Sequence, residues 1–325
     1  MNIQLYNDLC VETDTHVHMY GQHDGDSHAS LTGTHEIVTH ASSLPIGSKP
    51  RDVRQDFYIK IPRDDISKPL TIIVQDGLFD NLNVSCLPTT LPLKLDENSA
   101  VISTMVQNEH GRLHEWIDYH LSLGFSGVVL FDNDYNKQKK CFTSADPNRT
   151  CDDLQREYPG QVMVVKYPHG IIPRTHRYSG QRITLTLGYK LLKQHCKHVC
   201  FIDVDEFIHL PKQQDVCMEQ FLQQYDDKTL VMDSVFLVND PSTRIIPDNN
   251  VLQHTIYPTD KPGYNKIIIN NHQHDVDFLI SPHLPPASHE HEKCKPSELM
   301  HYHCWLNRAC GNPMLNTEIK IANHK

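Results

Sequence analysis

The rhythm of apolar and polar positions changes twice along the chain. Residues 1 to about 50 are rich in His, Asp, Thr, Ser and Gly with few apolar clusters, which predicts irregular structure. Short apolar runs follow, Phe57 to Ile61, Leu70 to Val74 and Asn83 to Leu87, separated by Pro62, Pro69, Asp76-Gly77 and Pro88. Such punctuation predicts short antiparallel strands, so residues 1–97 read as a small β-rich unit with Leu91 to Asn98 as the connector. From residue 100 strands and helices alternate. Ala100 to Val106 reads as a strand, and Leu113, Trp116, Ile117, His120 and Leu121 then recur at helical spacing until Gly124 supplies a stop. Strands at Val128 to Phe131 and Gln161 to Tyr167, a helix from Ser179 to about Lys197 and a strand at Val199 to Ile202 continue the pattern. A short helix from Asp215 to Tyr225 and a strand at Leu230 to Val238 follow. Residues 98–325 are therefore expected to form an α/β domain with a mostly parallel sheet flanked by helices. Ligands of such sheets bind at the carboxyl ends of the strands.

The length of 325 residues accommodates these two units. A hydrophobic share of 38% places the chain among folded proteins, and a formal charge of −10 argues against nucleic acid or an anionic membrane as partner. The longest apolar runs have strand length, so no membrane span is expected, and the N-terminus shows neither the cationic stretch nor the apolar region of a secretory signal. The expectation is a soluble protein of the cytoplasm, with most of its ten cysteines as thiols because they are scattered and form no C-x-x-C. Asn83-Val84-Ser85 and Asn148-Arg149-Thr150 match the glycosylation sequon, which has little meaning in that compartment. Twenty-three histidines invite a metal reading.

Candidate chemistry narrows that reading. D-x-D occurs at 24/26, 132/134, 203/205 and 275/277, so spacing alone is not specific. Only Asp203 and Asp205 directly follow an apolar strand inside the alternating region, at the expected carboxyl edge of the sheet. On an extended segment two carboxylates one residue apart point the same way and can share one hard cation, Mn²⁺ or Mg²⁺. His301 and His303 also alternate and could complete that metal shell, His301 first.

At this point the residues resemble a family. Val106-Gln107-Asn108-Glu109, Glu115-Trp116, His120, Gly124 and Leu130-Phe131-Asp132-Asn133-Asp134, then Gln181, Asp203-Val204-Asp205-Glu206-Phe207, Lys266 and His301-Tyr302, resemble in order the motifs of glycosyltransferase family 92 and its bacterial family 2-like relatives. The resemblance covers roughly residues 100 to 310, with D-V-D-E-F its most specific string. It implies a GT-A fold with a Rossmann-like sheet and an inverting, metal-dependent transferase that takes a sugar from a nucleotide diphosphate sugar, UDP-linked, to a glycan or glycoprotein. Asn108, Glu109 and Asp132 would then face the nucleoside, Asp203 would serve the donor through the metal, and Gln181 and Lys266 would meet the diphosphate or sugar. Gln107 departs from the family's lysine and the His-rich start has no counterpart, while the expected lack of the membrane anchor of animal members suggests a microbial or viral enzyme.

An inverting transferase requires a general base for the acceptor hydroxyl. Glu290, Asp275 and Asp277 lie downstream of the metal pair, where related transferases carry that residue, with Glu290 ranked first; Glu206 is a further candidate. Trp116 and His120 fall on the apolar stripe of their helix and read as core. Two rival readings stand beside the transferase. Asp14-Thr15-His16-Val17-His18 has the D-x-H-x-H form of amidohydrolase-type metal hydrolases, although no apolar barrel strand precedes it. A non-catalytic, His-rich metal-binding or structural protein is the other.

Overall fold

A computed structural model describes residues 3–6, 8–24, 32–33, 36–42, 54–65, 70–74, 77–82, 84–106, 113–133, 151–167, 179–210, 216–225, 227–239, 255–277, 279, 281–296 and 298–305. The chain divides into two compact units, Met1–Leu91 with His169–Leu191, and Pro92–Pro168 with Leu192–Lys325.

The first unit is built on antiparallel sheets. Strands β1 (Ile3–Leu5), β2 (Val11–Glu12), β3 (His16–Asp24), β5 (Glu36–Ser42) and β6 (Arg54–Pro62) form one sheet in the order β1-β3-β6-β5, with β2 also on β3; β4 (Thr32–Gly33), β7 (Leu70–Val74) and β8 (Gly77–Leu82) form another. Where residues 1–50 are described they form strands, in keeping with a β-rich unit and unlike the irregular or loosely packed start expected for them. Val17, Met19 and Tyr20 of β3 are buried with Tyr58, Ile59 and Ile61 of β6, and the register runs unbroken from His16↔Pro62 to Asp24↔Arg54. The His, Gln and Asp side chains along β3 hide its strand character locally, and pairing with a distant partner overrides the weak propensity. Asn83 to Leu87, in contrast, is expected as a strand but carries only an isolated bridge between Cys10 and Cys86 among its described residues.

The second unit is α/β. In chain order its elements are β9 (Ala100–Val106), α1 (Leu113–Ser122), β10 (Gly127–Asp132), α2 (Cys151–Glu157) and β11 (Val162–Lys166). Helix α3 (Ser179–Leu192), which falls largely in the first unit, precedes β12 (His198–Phe201) and β13 (Glu206–His209). Helix α4 (Met218–Leu222), β14 (Thr229–Asn239), β15 (Thr255–Pro262), β16 (Lys266–Asn270), β17 (His291–Lys293) and β18 (Met300–Trp305) complete it. The sheet order is β11-β10-β9-β12-β16-β14-β18-β13, with β15 and β17 also on β14. Strands β11, β10, β9 and β12 run parallel, whereas β16 is antiparallel to both β12 and β14. Parallel strands need both faces covered, and β10 and β12 are accordingly buried along their whole length. No helix among the described residues is long and apolar enough to cross a membrane.

Helix α1 forms as its periodicity predicts. Leu113, Trp116, Ile117 and His120 are its buried residues, at i, i+3, i+4 and i+7, and they join a core with Ile102, Leu130, Phe207, Met218 and Phe221. Gly124 ends it at φ 98°, where a Cβ would lie 2.6 Å from the Cys217 Cβ and 2.9 Å from the Met218 nitrogen. Two other helices are shorter than their apolar stripes suggest, α3 stopping at Leu192 and α4 at Leu222, followed there by a 3₁₀ turn over Gln223–Tyr225.

Candidate functional site

Strand β9 hydrogen-bonds to β10 on one side and to β12 on the other, so the chain leaves the pair β9/β10 and returns beyond β9. At such a reversal the loops after two neighbouring strands diverge and leave a crevice outside their carboxyl ends. The D-V-D-E-F string begins there, two residues after β12 ends at Phe201.

The Asp pair does not lie on an extended segment. Asp203 to Glu206 form a turn in which the Glu206 N–H donates to the Asp203 carbonyl at 3.0 Å, and the Glu206 carboxylate accepts the Asp203 N–H at 2.9 Å. The period-2 argument for convergence of Asp203 and Asp205 therefore does not apply, because the Glu206 side chain folds back and closes the turn. Lys266, the first residue of β16, is 1% exposed and places its Nζ 2.7 Å from Asp203 Oδ2 and 2.9 Å from Glu206 Oε2. Burial works against its charge, but the two carboxylates outweigh burial and hold its pKa above the ordinary lysine value. Glu206 is 3% exposed and Asp203 41%, so one member of the triad faces solvent and two are internal.

Helix α1 fixes the strand that carries this turn. Among the described residues β13 pairs with β18 alone and ends the sheet, which leaves alternate backbone groups on its outer edge. Trp116 Nε1–H donates to the Glu206 carbonyl at 2.8 Å, the Tyr119 hydroxyl donates to the Ile208 carbonyl at 2.6 Å, and the Ile208 N–H donates to His120 Nε2 at 3.3 Å. His120 Nδ1 lies 2.7 Å from the Trp116 carbonyl, so Nδ1 carries the proton and Nε2 accepts. Burial lowers the His120 pKa to about 3, against a smaller opposing effect of that backbone bond, and the ring is neutral at pH 7. Reading Trp116 and His120 as core residues is right in burial, and both are also backbone caps for β13.

At the end of β10, Asp132 and Asn133 are buried. Lys166 Nζ lies 3.3 Å from Asp132 Oδ2 and 2.9 Å from Asp152 Oδ1, the Cys151 thiol also bonds to the Asp132 carboxylate, and Asn133 Oδ1 has no hydrogen-bond partner among the described residues. A buried acceptor left open at a strand's carboxyl end requires an explanation, since such groups are normally satisfied.

The remaining predicted residues fall as follows. Asn108 and Glu109 lie outside the described residues. Gln181 lies on α3, in the stretch assigned to the first unit. The backbone register sets His303 opposite Glu206 and His301 opposite Ile208. Among the described residues no group of three or more His, Cys, Asp and Glu is arranged to hold a metal ion. Glu290 and Asp275 are not brought to Asp203. The Glu290 carbonyl accepts from the Thr229 N–H, Thr229 Oγ1 accepts from the Asn270 N–H, and Lys193 Nζ lies 4.0 Å from Asp275 while donating to the Asn271 carbonyl. Both therefore sit at the Asn270 end of β16, four residues or about 13 Å from Lys266. Glu290 lines a polar cavity of about 780 Å³ there, with Lys197, Asn270, His272 and His274. Asp277 belongs to the segment leading to His283, whose Nδ1 lies 2.6 Å from the Asn265 carbonyl, next to Lys266. Glu206 as anchor of the turn and the open oxygen of Asn133 were not foreseen; the D-E pair and the buried D-N after an apolar strand were their only signals. Asp14 is exposed, and His16 and His18 lie on β3, whose partners all run antiparallel to it.

Compared with known proteins, the chain matches no family model, and no curated protein matches it at a significant level. The class defined by fold and site is an α/β protein with an acidic, lysine-anchored turn at the switch point of a parallel strand block.

Proposed function

We propose that this chain is a glycosyltransferase of GT-A type that moves a sugar, with inversion, from a nucleoside diphosphate sugar to a hydroxyl of a glycan or glycoprotein. The observation that carries this reading is Asn133 Oδ1, buried and without a hydrogen-bond partner among the described residues, beside the buried Asp132 carboxylate and across β9 from the Asp203 turn. Acceptors at a strand end suit the N–H of a pyrimidine base and the hydroxyls of ribose, and UDP is the nucleotide we assign. Asp203, Asp205 and Glu206 against Lys266 leave a formal −2 at the turn. That charge, with Asp203 partly exposed, fits a divalent cation held through Asp203 and Asp205, with His301 and His303 on β18 as further ligands. Bound Mn²⁺ or Mg²⁺ would neutralise charge on the departing diphosphate.

Lys266 takes a different role from a phosphate contact. Its ammonium is internal and shared between two carboxylates, so it holds the turn in shape. Transfer then requires the acceptor oxygen to bond the anomeric carbon as the bond to the diphosphate oxygen breaks, with the hydroxyl proton passing to a base. Glu290 and Asp275 lie at the far end of β16, Asp277 is two residues from Asp275, and Glu206 is held by Lys266, so none of the four carboxylates considered is assigned that role. Incubation of the protein with UDP-sugars and Mn²⁺ tests the reading. Slow, metal-dependent release of UDP is expected, lost in Asp203→Asn and Asp132→Ala; equal release by the wild type and both variants would overturn it.

A further inference from the structure

Cys10 and Cys86 are far apart in the chain and adjacent in the first unit. They form an isolated parallel bridge in which the Cys10 N–H donates to the Ser85 carbonyl at 3.1 Å and the Leu87 N–H donates to the Cys10 carbonyl at 2.7 Å. Cys10 thus hydrogen-bonds on both sides of Cys86 and lies directly opposite it. Neighbouring strands are about 4.8 Å apart, inside the roughly 4.4–6.8 Å between Cα atoms that a disulfide spans. Directly paired residues also project their side chains to the same face of the ladder. Neither cysteine is in a disulfide here; Cys10 is buried and Cys86 half-buried. The two thiols are close enough to act on each other, since Cys86 contributes, after burial, to pushing the Cys10 thiol up.

We propose that Cys10 and Cys86 are an oxidation site, closing to an intramolecular disulfide by exchange with a small-molecule disulfide such as oxidised glutathione. Accessibility sets the order of events. The Cys86 thiol, the more exposed of the two, loses its proton and attacks one sulfur of the small disulfide, forming a mixed disulfide and releasing one small thiol. The Cys10 thiol, held 3.8 Å from the Tyr6 carbonyl, then loses its proton and attacks the Cys86 sulfur, releasing the second small thiol. The two protein thiols are oxidised, one small disulfide is reduced to two thiols, and the two protons leave with them. The new bond ties the stretch before β2 to the segment just after β8, enclosing every strand of the unit from β2 to β8 in one covalent ring. A ring of about 75 residues restricts the unfolded chain, and the oxidised form is expected to melt higher by about 5 °C.

The test uses the full chain. Protein equilibrated with oxidised glutathione is quenched with an alkylating agent, digested without reduction and analysed by mass spectrometry, alongside a thermal melt. The proposal expects a linked peptide pair containing Cys10 and Cys86, an upward melting shift reversed by dithiothreitol, and loss of both in Cys86→Ser and Cys10→Ser. Cys86→Ser replaces the less buried thiol, so it keeps the test valid if Cys10→Ser fails to fold. Alkylation of both residues after oxidation, or pairing of either with another cysteine, would overturn the proposal. So would a melting shift that persists in Cys86→Ser.

Discussion

Replacing Lys266 by Met removes the one cation that two carboxylates share while keeping most of the side chain's volume. The cost is set by what remains behind. Asp203 is 41% exposed and can turn to water, so its loss of a partner contributes little. Glu206 is 3% exposed and would lose its ammonium partner while keeping the Asp203 N–H on the oxygen that faced Lys266. Stranding one member of a buried pair costs about 3–5 kcal/mol, and the backbone bond that survives puts Lys266→Met at about 3 kcal/mol at pH 7. The pH dependence carries the sign of the argument. Without Lys266 the buried Glu206 has a folded pKa above its unfolded value of about 4.3, so the folded variant binds the proton more tightly and gains stability as pH falls from 7 towards 5. In the wild type the raised Lys266 pKa contributes stability that is complete below the unfolded value of about 10.5 and is lost as pH rises above it. Urea unfolding followed by tryptophan fluorescence, at pH 7 and pH 5, measures the deficit of the variant and its pH dependence. Adding Glu206→Gln to Lys266→Met should recover about 2 kcal/mol, because a neutral amide needs no counter-charge. A deficit below about 1 kcal/mol at pH 7, an equal deficit at pH 5, or a double variant as unstable as the sum of the single ones would refute the triad as an internal ion cluster.

The same geometry fixes other outcomes. His120 has a folded pKa depressed to about 3 by burial, so its contribution to stability is complete above pH 6.5 and is lost as pH falls towards 3; its ring resonances should not titrate between pH 8 and 4.5 by nuclear magnetic resonance. Gly124→Ala forces a side chain into a left-handed φ and within 2.9 Å of the Met218 nitrogen, which should cost about 2 kcal/mol or more in chemical denaturation, against about 0.5 kcal/mol for a change at an unconstrained surface position. Trp116→Phe keeps an aromatic ring but removes part of the buried indole and the N–H that donates to the Glu206 carbonyl, a loss of about 1–3 kcal/mol, with wild-type stability as the contrary result.

How far the fold was legible depended on the range of the interactions that made it. Helix α1 and strands β9 and β10 stood out because their signals are local: an i, i+3, i+4, i+7 stripe, a glycine stop and apolar runs, broken in β9 only by Ser103 and Thr104, between parallel neighbours. Strand β3 did not, since its His, Gln and Asp positions show no apolar alternation and β6, more than 30 residues on, supplies the pairing. The same division holds in the site. Asp203 was readable from its place after an apolar strand, and Lys266 from its motif. The turn that makes Asp203, Glu206 and Lys266 one cluster depends on β12 and β16 being neighbours, which strand order decides and local pattern does not. The placement of Glu290 depends on strand direction, which sequence order does not carry: β16 runs against β12, so residues that follow it in sequence start from the far edge of the sheet.

The central claim is that the carboxyl ends of β10 and β12 bind a nucleoside diphosphate sugar. Titration of UDP-sugars, with UMP as control, into the full chain by calorimetry with and without Mn²⁺ tests it most directly. Saturable binding of the diphosphate, strengthened at least tenfold by Mn²⁺ and lost in both Asp132→Ala and Asp203→Asn, is the expected result. No binding to wild type, or binding equally strong in both variants, would contradict the account.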